Sequence, residues 1–182
     1  HLLVPRKLRD AGFSADRALA GYGTVTGMVF PIIGFPSCLL SAAAELTVPE
    51  LTAAQVQGDN ARIKRTVEAL LRSALLFSIA VGLTLFFTGE LLGRAIYHTD
   101  SVGHYIRILS PLVPIMYMDI VTDGCLKGLG QMMRSMTYNV AEALIGVFLV
   151  ITLLPRFALD GYLFVLYFCE LFNFTHGKSV FN

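Results

Sequence analysis

The sequence predicts an all-α fold, a polytopic transmembrane helix bundle of about five spans plus one interfacial amphipathic helix, and three observations predict it. Apolar residues make up 55% of the chain and charged residues 15%, with a mean hydropathy of +0.65, whereas about a quarter of an ordinary soluble domain is charged. Charges are missing altogether from long runs of the chain. Tyr22, Tyr97, Tyr105, Tyr138 and Tyr162 fall near the ends of those runs, where amphipathic rings settle at lipid headgroups.

The first run without Asp, Glu, Lys or Arg covers 18 to 44, which is 27 residues, and a span needs about 20. A first helix over about 21 to 46 follows. It contains Pro31 and Pro36, each lacking a backbone donor, so a bent helix facing other protein is expected. The second run, 73 to 89, has 17 residues and reaches spanning length if it extends to 97, with Glu90 and Arg94 at headgroup level. A third helix is predicted over about 105 to 129, broken or bent by Pro111 and Pro114. A fourth covers 136 to 158, and a fifth 162 to about 175.

Between the first two spans, residues 52 to 72 are polar enough to leave the membrane. Ile63, Val67, Leu70 and Leu71 recur at helical spacing, with Arg62, Lys64, Arg65 and Glu68 around the rest. Asp59, after the breaker Gly58, can cap this helix, and Glu68 to Arg72 has the favourable i, i+4 order. Two readings stay open: a helix lying in the interface with its cations toward anionic headgroups, or a solvated helix leading into the second span. Counting Lys and Arg gives seven on each side of the membrane, so the positive-inside rule alone does not orient the chain. His1 is not followed by the features of a signal peptide, and the chain reads as one membrane domain over 1 to 182, truncated at both ends.

Several function classes are disfavoured. A charge balance of 14 Lys+Arg against 13 Asp+Glu offers no basic excess to neutralise phosphates, so nucleic acid is not expected as a partner. Cys38, Cys125 and Cys169 are isolated in apolar stretches, as free core cysteines are, and suggest neither a disulfide framework nor a metal site. There is no HExxH, Gly-x-Ser-x-Gly or phosphate-binding loop. No catalytic residue, metal or cofactor is expected, an intramembrane transferase using Asp119 and Asp123 being the weak enzymatic alternative.

Asp119, Asp123 and Lys127 on the third helix and Glu142 on the fourth are unusual inside a bilayer. The spacing 119, 123, 127 places three charges on one helical face. Over 106 to 126, nine Leu, Ile and Val residues favour insertion by roughly 3 to 5 kcal/mol, whereas two central aspartates oppose it by roughly 5 to 7. The helix needs neighbours, and its acidic face must turn away from lipid. Asp119 and Asp123 are therefore candidates for a substrate or ion pathway, with Glu142 and Asn139 reaching it from the fourth helix. The bland alternative pairs Asp123 with Lys127 and hydrogen-bonds Asp119 to a neighbour. Glu45 and Glu170 read as helix-end residues. Gly124 and Gly128 have the GxxxG spacing that allows close helix approach, and Met116, Met118, Met132, Met133 and Met136 read as core packing.

Val4-Pro5-Arg6-Lys7-Leu8, Ala11-Gly12-Phe13-Ser14, Tyr22-Gly23 and Thr26-Gly27-Met28, followed by Pro31 and Phe35-Pro36, resemble the stretch opening the second half of stage V sporulation protein B-type flippases. Val48-Pro49-Glu50-Leu51, Ala61-Arg62-Ile63-Lys64-Arg65, the string from Asp123 through Gly128 to Gln131, Tyr138-Asn139-Val140, Leu154-Pro155 and Gly161-Tyr162 continue the resemblance over nearly the whole chain. That family lies in the multidrug, oligosaccharidyl-lipid and polysaccharide exporter superfamily. The resemblance implies a second lobe of a two-lobe transporter in a bacterial plasma membrane. Its partners would be membrane lipids, the first lobe and a lipid-linked sugar, such as a peptidoglycan precursor of the spore cortex, moved from inner to outer leaflet by alternating access. A cation-coupled drug exporter of the same fold and a non-transporting scaffold for cell-wall enzymes are the alternatives.

The resemblance also implies that Gly58 is cytoplasmic and Asp100 external. In a variant lacking Cys38, Cys125 and Cys169, Asp100→Cys is expected to react with an impermeant thiol reagent in intact cells and Gly58→Cys to stay unlabelled. The reverse pattern refutes this orientation.

Overall fold

The computed structural model describes residues 15–179, all strand-free, and its elements follow the charge-free runs. Helix α1, Ala15–Thr24, passes through a π turn at Val25–Val29 into α2, Phe30–Val56. Helix α3 is Asn60–Tyr97. Helix α4, Asp100–Leu109, joins α5, Val113–Gly128, through a 3-10 turn at Ser110–Leu112. Helix α6 is Met132–Ser179. Among the described residues, three stretches are long and apolar enough to cross a membrane: Ala20–Val56, Asn60–Tyr97 and Asp100–Gly128.

The prolines act as expected, with specific local solutions. Pro31 cannot donate to the turn before it, and its ring crowds a preceding carbonyl. The π turn just upstream widens the ladder, Phe30 N–H bonding to Val25 O. Hydroxyls supply further donors, Thr26 to Tyr22 O at 2.7 Å and Ser37 to Gly34 O at 2.7 Å. Beside Pro36, the fully buried Tyr117 donates its hydroxyl to Ile33 O at 2.6 Å. Pro111 sits inside the 3-10 turn that divides the predicted third helix.

The rod from Asp100 to Gly128 is the centre of the molecule. It is the most buried of the three long stretches, and Val102, Ile106, Leu109, Leu112, Val113, Tyr117, Val121 and Cys125 form the spine of the core. Two seams of small residues hold it. On the α3 side, a Cβ added at Gly93 would stand 2.6 Å from Gly103 N, and one at Gly103 would stand 2.6 Å from Glu90 Cα. On the α2 side, a Cβ at Gly124 would meet Ala44 Cβ at 2.6 Å and one at Gly128 would meet Leu51 Cβ at 3.0 Å. Thr52 Oγ1 also donates to Gly128 O at 2.8 Å across that contact. The GxxxG spacing is thus a true close approach of two backbones.

Several expectations are corrected. Of the two readings of the amphipathic segment, the structure matches the helix leading into the second span and not the separate interfacial helix: it is the first third of α3. Val67 is buried, and Ile63, Leu70 and Leu71 pack on the protein core, because protein surface rather than lipid lies beneath that face. Asp59 does cap α3, accepting from Arg62 N–H at 3.0 Å. Glu68 pairs backward with Lys64 at 3.8 Å instead of forward with Arg72. Met116 and Met118 join the core, but Met132, Met133 and Met136 are exposed. Cys38 is exposed too, whereas Cys125 is buried.

The predicted fourth and fifth spans form one helical run, α6, without an intervening loop. It is not straight. A Cβ at Gly146 would lie 3.3 Å from Cys169 Sγ, although 23 residues of straight helix would hold them about 34 Å apart. The run therefore folds back, bringing its two apolar stretches, Asn139–Val150 and Tyr162–Leu171, side by side. Tyr162 packs its ring edge-on to Tyr22 at 5.2 Å, and the Tyr167 hydroxyl donates to Ile108 O. The side chain of Tyr138 and residues 1–14 lie outside the described residues.

The seam predicts an asymmetry between glycines. Gly124→Ala is expected to destabilise the full-length protein in detergent by about 1 to 3 kcal/mol through overpacking against Ala44. Gly34→Ala, which has open space around its Cβ, is expected to be neutral or slightly stabilising, by up to about 1 kcal/mol of helix propensity. Equal melting-temperature losses for both would contradict the seam.

Candidate functional site

The hairpin between α5 and α6 brings the predicted site residues together. Leu129, Gly130 and Gln131 form the turn: Gly130 adopts a positive φ of 65°, which glycine accepts without steric cost. Gly130 N–H bonds to Lys127 O and Gln131 N–H to Leu126 O, closing the end of α5. This turn sets an antiparallel register in which 123 lies level with 139 and 119 with 142.

Within that register Asn139 Nδ2 donates to Asp123 Oδ2 at 3.3 Å. The carboxylates of Asp119, Asp123 and Glu142 are near enough to interact electrostatically, Asp119 with both others and Glu142 with Asp123. All three are half-buried, and Asn139 is exposed. Tyr117 and Val121, which flank Asp119 on the opposite side of α5, are fully buried. The helix therefore presents its apolar face to the core and its acids toward α6, the partition demanded by the insertion energetics.

A fourth carboxylate completes the face. Glu170, on the returning part of α6, interacts electrostatically with Asp119 and Glu142. It is half-buried, beside Cys169, which touches Gly146. Sequence reasoning placed Glu170 at a helix end. The available signal was its isolation: it is the sole charged residue of the apolar stretch Tyr162–Leu171. Lys127 is exposed at the end of α5, close to Thr52, Gln55 and Gly130 around a surface depression. Glu45 is exposed on α2.

Four acids in one half-buried patch can accept hydrogen bonds from hydroxyls or ammonium groups, share protons, or balance a cation. Among the described residues, no group of three or more His, Cys, Asp or Glu side chains is arranged to hold a metal ion. His98 and His104 lie at the opposite end of the bundle: His98 ends α3 in the left-handed conformation, and His104 packs against Tyr105.

The MatE family model matches residues 11–152, a stretch that includes Asp119, Asp123, Asn139 and Glu142 and stops before Glu170. No curated protein and no solved structure matches the chain.

The Asp123 and Asn139 contact predicts a measurable coupling. A double-mutant cycle with Asp123→Ala and Asn139→Ala, read by thermal unfolding, is expected to give about 0.6 kcal/mol, the mean for hydrogen bonds between membrane helices. Strict additivity of the two losses would show that the pair does not act together.

Proposed function

The chain belongs to the MatE family, and on that premise we propose that it is one lobe of a flippase that moves a lipid-linked oligosaccharide or peptidoglycan precursor between leaflets. Membership makes it a multi-pass membrane transport protein of the exporter superfamily that joins multidrug, oligosaccharidyl-lipid and polysaccharide transporters, and transport proteins of this family are not enzymes. The finer reading is supported by the extended resemblance to stage V sporulation protein B-type flippases. The observation that carries it is the polar face of Asp119, Asp123, Glu142 and Asn139 on an otherwise apolar lobe.

In this reading a sugar headgroup passes between two lobes while its lipid tail stays in the bilayer, so no bond is made or broken. Carboxylates and amides suit sugars because hydroxyls donate to them in a fixed geometry. Half-burial suits them as well, since a dry site strengthens each contact. Anchoring of the acids on α5, itself locked by the Gly124 seam, keeps the face pre-formed.

A second reading is favoured by Glu170. Four carboxylates are more negative charge than hydroxyl recognition requires, and a cation or proton exchanged for substrate would relieve their mutual repulsion. The lobe would then belong to a cation-coupled exporter, with the same residues as its ion pathway.

Transport of radiolabelled lipid-linked sugar by the complete protein in vesicles, with and without an imposed ion gradient, separates the two. Asp119→Asn is expected to slow transport by about tenfold or more, the rate equivalent of one polar contact worth roughly 1.4 kcal/mol, with insertion and melting temperature retained. Asp123→Asn is expected to act more weakly, because an amide at 123 still bonds to Asn139. Unchanged transport by Asp119→Asn refutes the pathway assignment, and loss of gradient dependence in that variant selects the coupled reading.

A further inference from the structure

Arg65 and Arg72 stand seven residues apart on α3, two helical turns, so they project in line from one exposed face. Their neighbours are engaged: Arg62 Nη2 lies 3.4 Å from Glu50 Oε1, and Lys64 Nζ lies 3.8 Å from Glu68 Oε1. Among the described residues, no ion pair or hydrogen bond of the Arg65 or Arg72 side chain is formed. The line of the two arginines continues along α3 as an apolar stripe, Leu76, Ile79, Leu83 and Phe87, exposed by 42 to 78%. From 76 to 87 this stripe is about 16 Å long, close to half the roughly 30 Å hydrocarbon thickness of a bilayer.

The other end of the bundle is built differently. Arg94 pairs with Asp100, and Arg107 Nη1 lies 3.4 Å from Glu90 Oε1 with its guanidinium over the Phe86 ring at 4.8 Å. Each of these arginines has a carboxylate of its own. Among the described residues, the α3 N-terminal end thus keeps two uncommitted guanidiniums above an apolar stripe about one leaflet long, whereas Arg94 and Arg107 at the far end are each paired.

We propose that Arg65 and Arg72 bind the phosphate of an anionic phospholipid, whose acyl chain lies along Leu76, Ile79, Leu83 and Phe87. Charge complementarity selects the occupant. A guanidinium fork matches phosphate oxygens in geometry, and a headgroup of net negative charge meets two cations without bringing a competing ammonium. A zwitterionic lipid places its own positive group beside Arg65. Under the orientation implied by the resemblance, the bound lipid belongs to the cytoplasmic leaflet, where anionic lipids attract basic segments next to the membrane. The site does not depend on the acidic face of α5 and α6, nor on which substrate is transported.

The test titrates the purified full-length protein in detergent with phosphatidylglycerol or phosphatidylcholine and resolves single binding events by native mass spectrometry. The unmodified protein is expected to bind its first phosphatidylglycerol several-fold more tightly than phosphatidylcholine. Arg65→Gln and Arg72→Gln should each weaken that event by up to about fivefold, and high salt should weaken it as well. Arg65→Lys with Arg72→Lys should retain part of it, keeping the charge without the fork, and Lys64→Gln, whose residue is committed to Glu68, should leave it unchanged. Absence of a preference in the unmodified protein, or an equal loss in Lys64→Gln, overturns the proposal. So does insensitivity to both glutamine variants, the result expected if another part of the full-length protein covers this face.

Discussion

A backbone carbonyl released inside hydrocarbon has no water to turn to, and this constraint explains more of the structure than any single apolar contact. Pro31, Pro36, Pro111 and Pro114 interrupt two of the three long stretches. The ladder widens at Val25–Val29 just before Pro31 and tightens at Ser110–Leu112 around Pro111, where Ser110 Oγ donates to Arg107 O, the carbonyl that Pro111 leaves without its usual donor. The bond from Tyr117 to Ile33 O is the long-range member of this set. It joins α5 to α2 close to Pro36 and fixes the two helices to each other there. Among the described residues, no buried side-chain nitrogen or oxygen is left without a partner.

The same economy explains why two aspartates can ride on a central helix. Helix α5 is buried on the sides facing α2 and α3, where Gly124, Gly128, Val121 and Tyr117 leave no room for a polar group. The one direction left for Asp119 and Asp123 is toward α6, and α6 answers with Asn139, Glu142 and, from its returning part, Glu170. Polar chemistry and tight packing therefore occupy opposite faces of one helix. A change on either face is felt by the other through the position of α5.

Much of this could be read from residue order alone. Charge gaps placed the long stretches, Pro31 and Pro111 marked the interruptions, Asp59 marked the start of α3, and the 119, 123 spacing marked the acidic face. What escaped depended on which surfaces meet. The apolar side of 60 to 71 has the pattern of a lipid-facing helix, and only the packing of Ile63 and Leu70 on the core distinguishes the two cases. Glu68 had a favourable partner on either side, and sequence order does not choose between Lys64 and Arg72. Glu170 becomes part of the acidic face because α6 folds back, a long-range event that leaves no local periodicity. Gly89 and Gly93 have the same GxxxG spacing as Gly124 and Gly128, but only the register of α3 against α4 shows that they meet Ile106 and Gly103.

That alignment has a mechanical corollary. Where Gly93 meets Gly103 and Gly103 meets Glu90, main chain rests on main chain with no side chain in between, so there are no rotamers to absorb a displacement and no soft layer to shear. The stretch from Gly82 to Pro114 behaves as a stiff strut, clamped at its tip by His98 in its left-handed conformation and by the Arg94 and Asp100 pair. The compliant element lies elsewhere, in the five residues of Val25–Val29, where the ladder is already widened and hydroxyls can trade carbonyl partners at little cost.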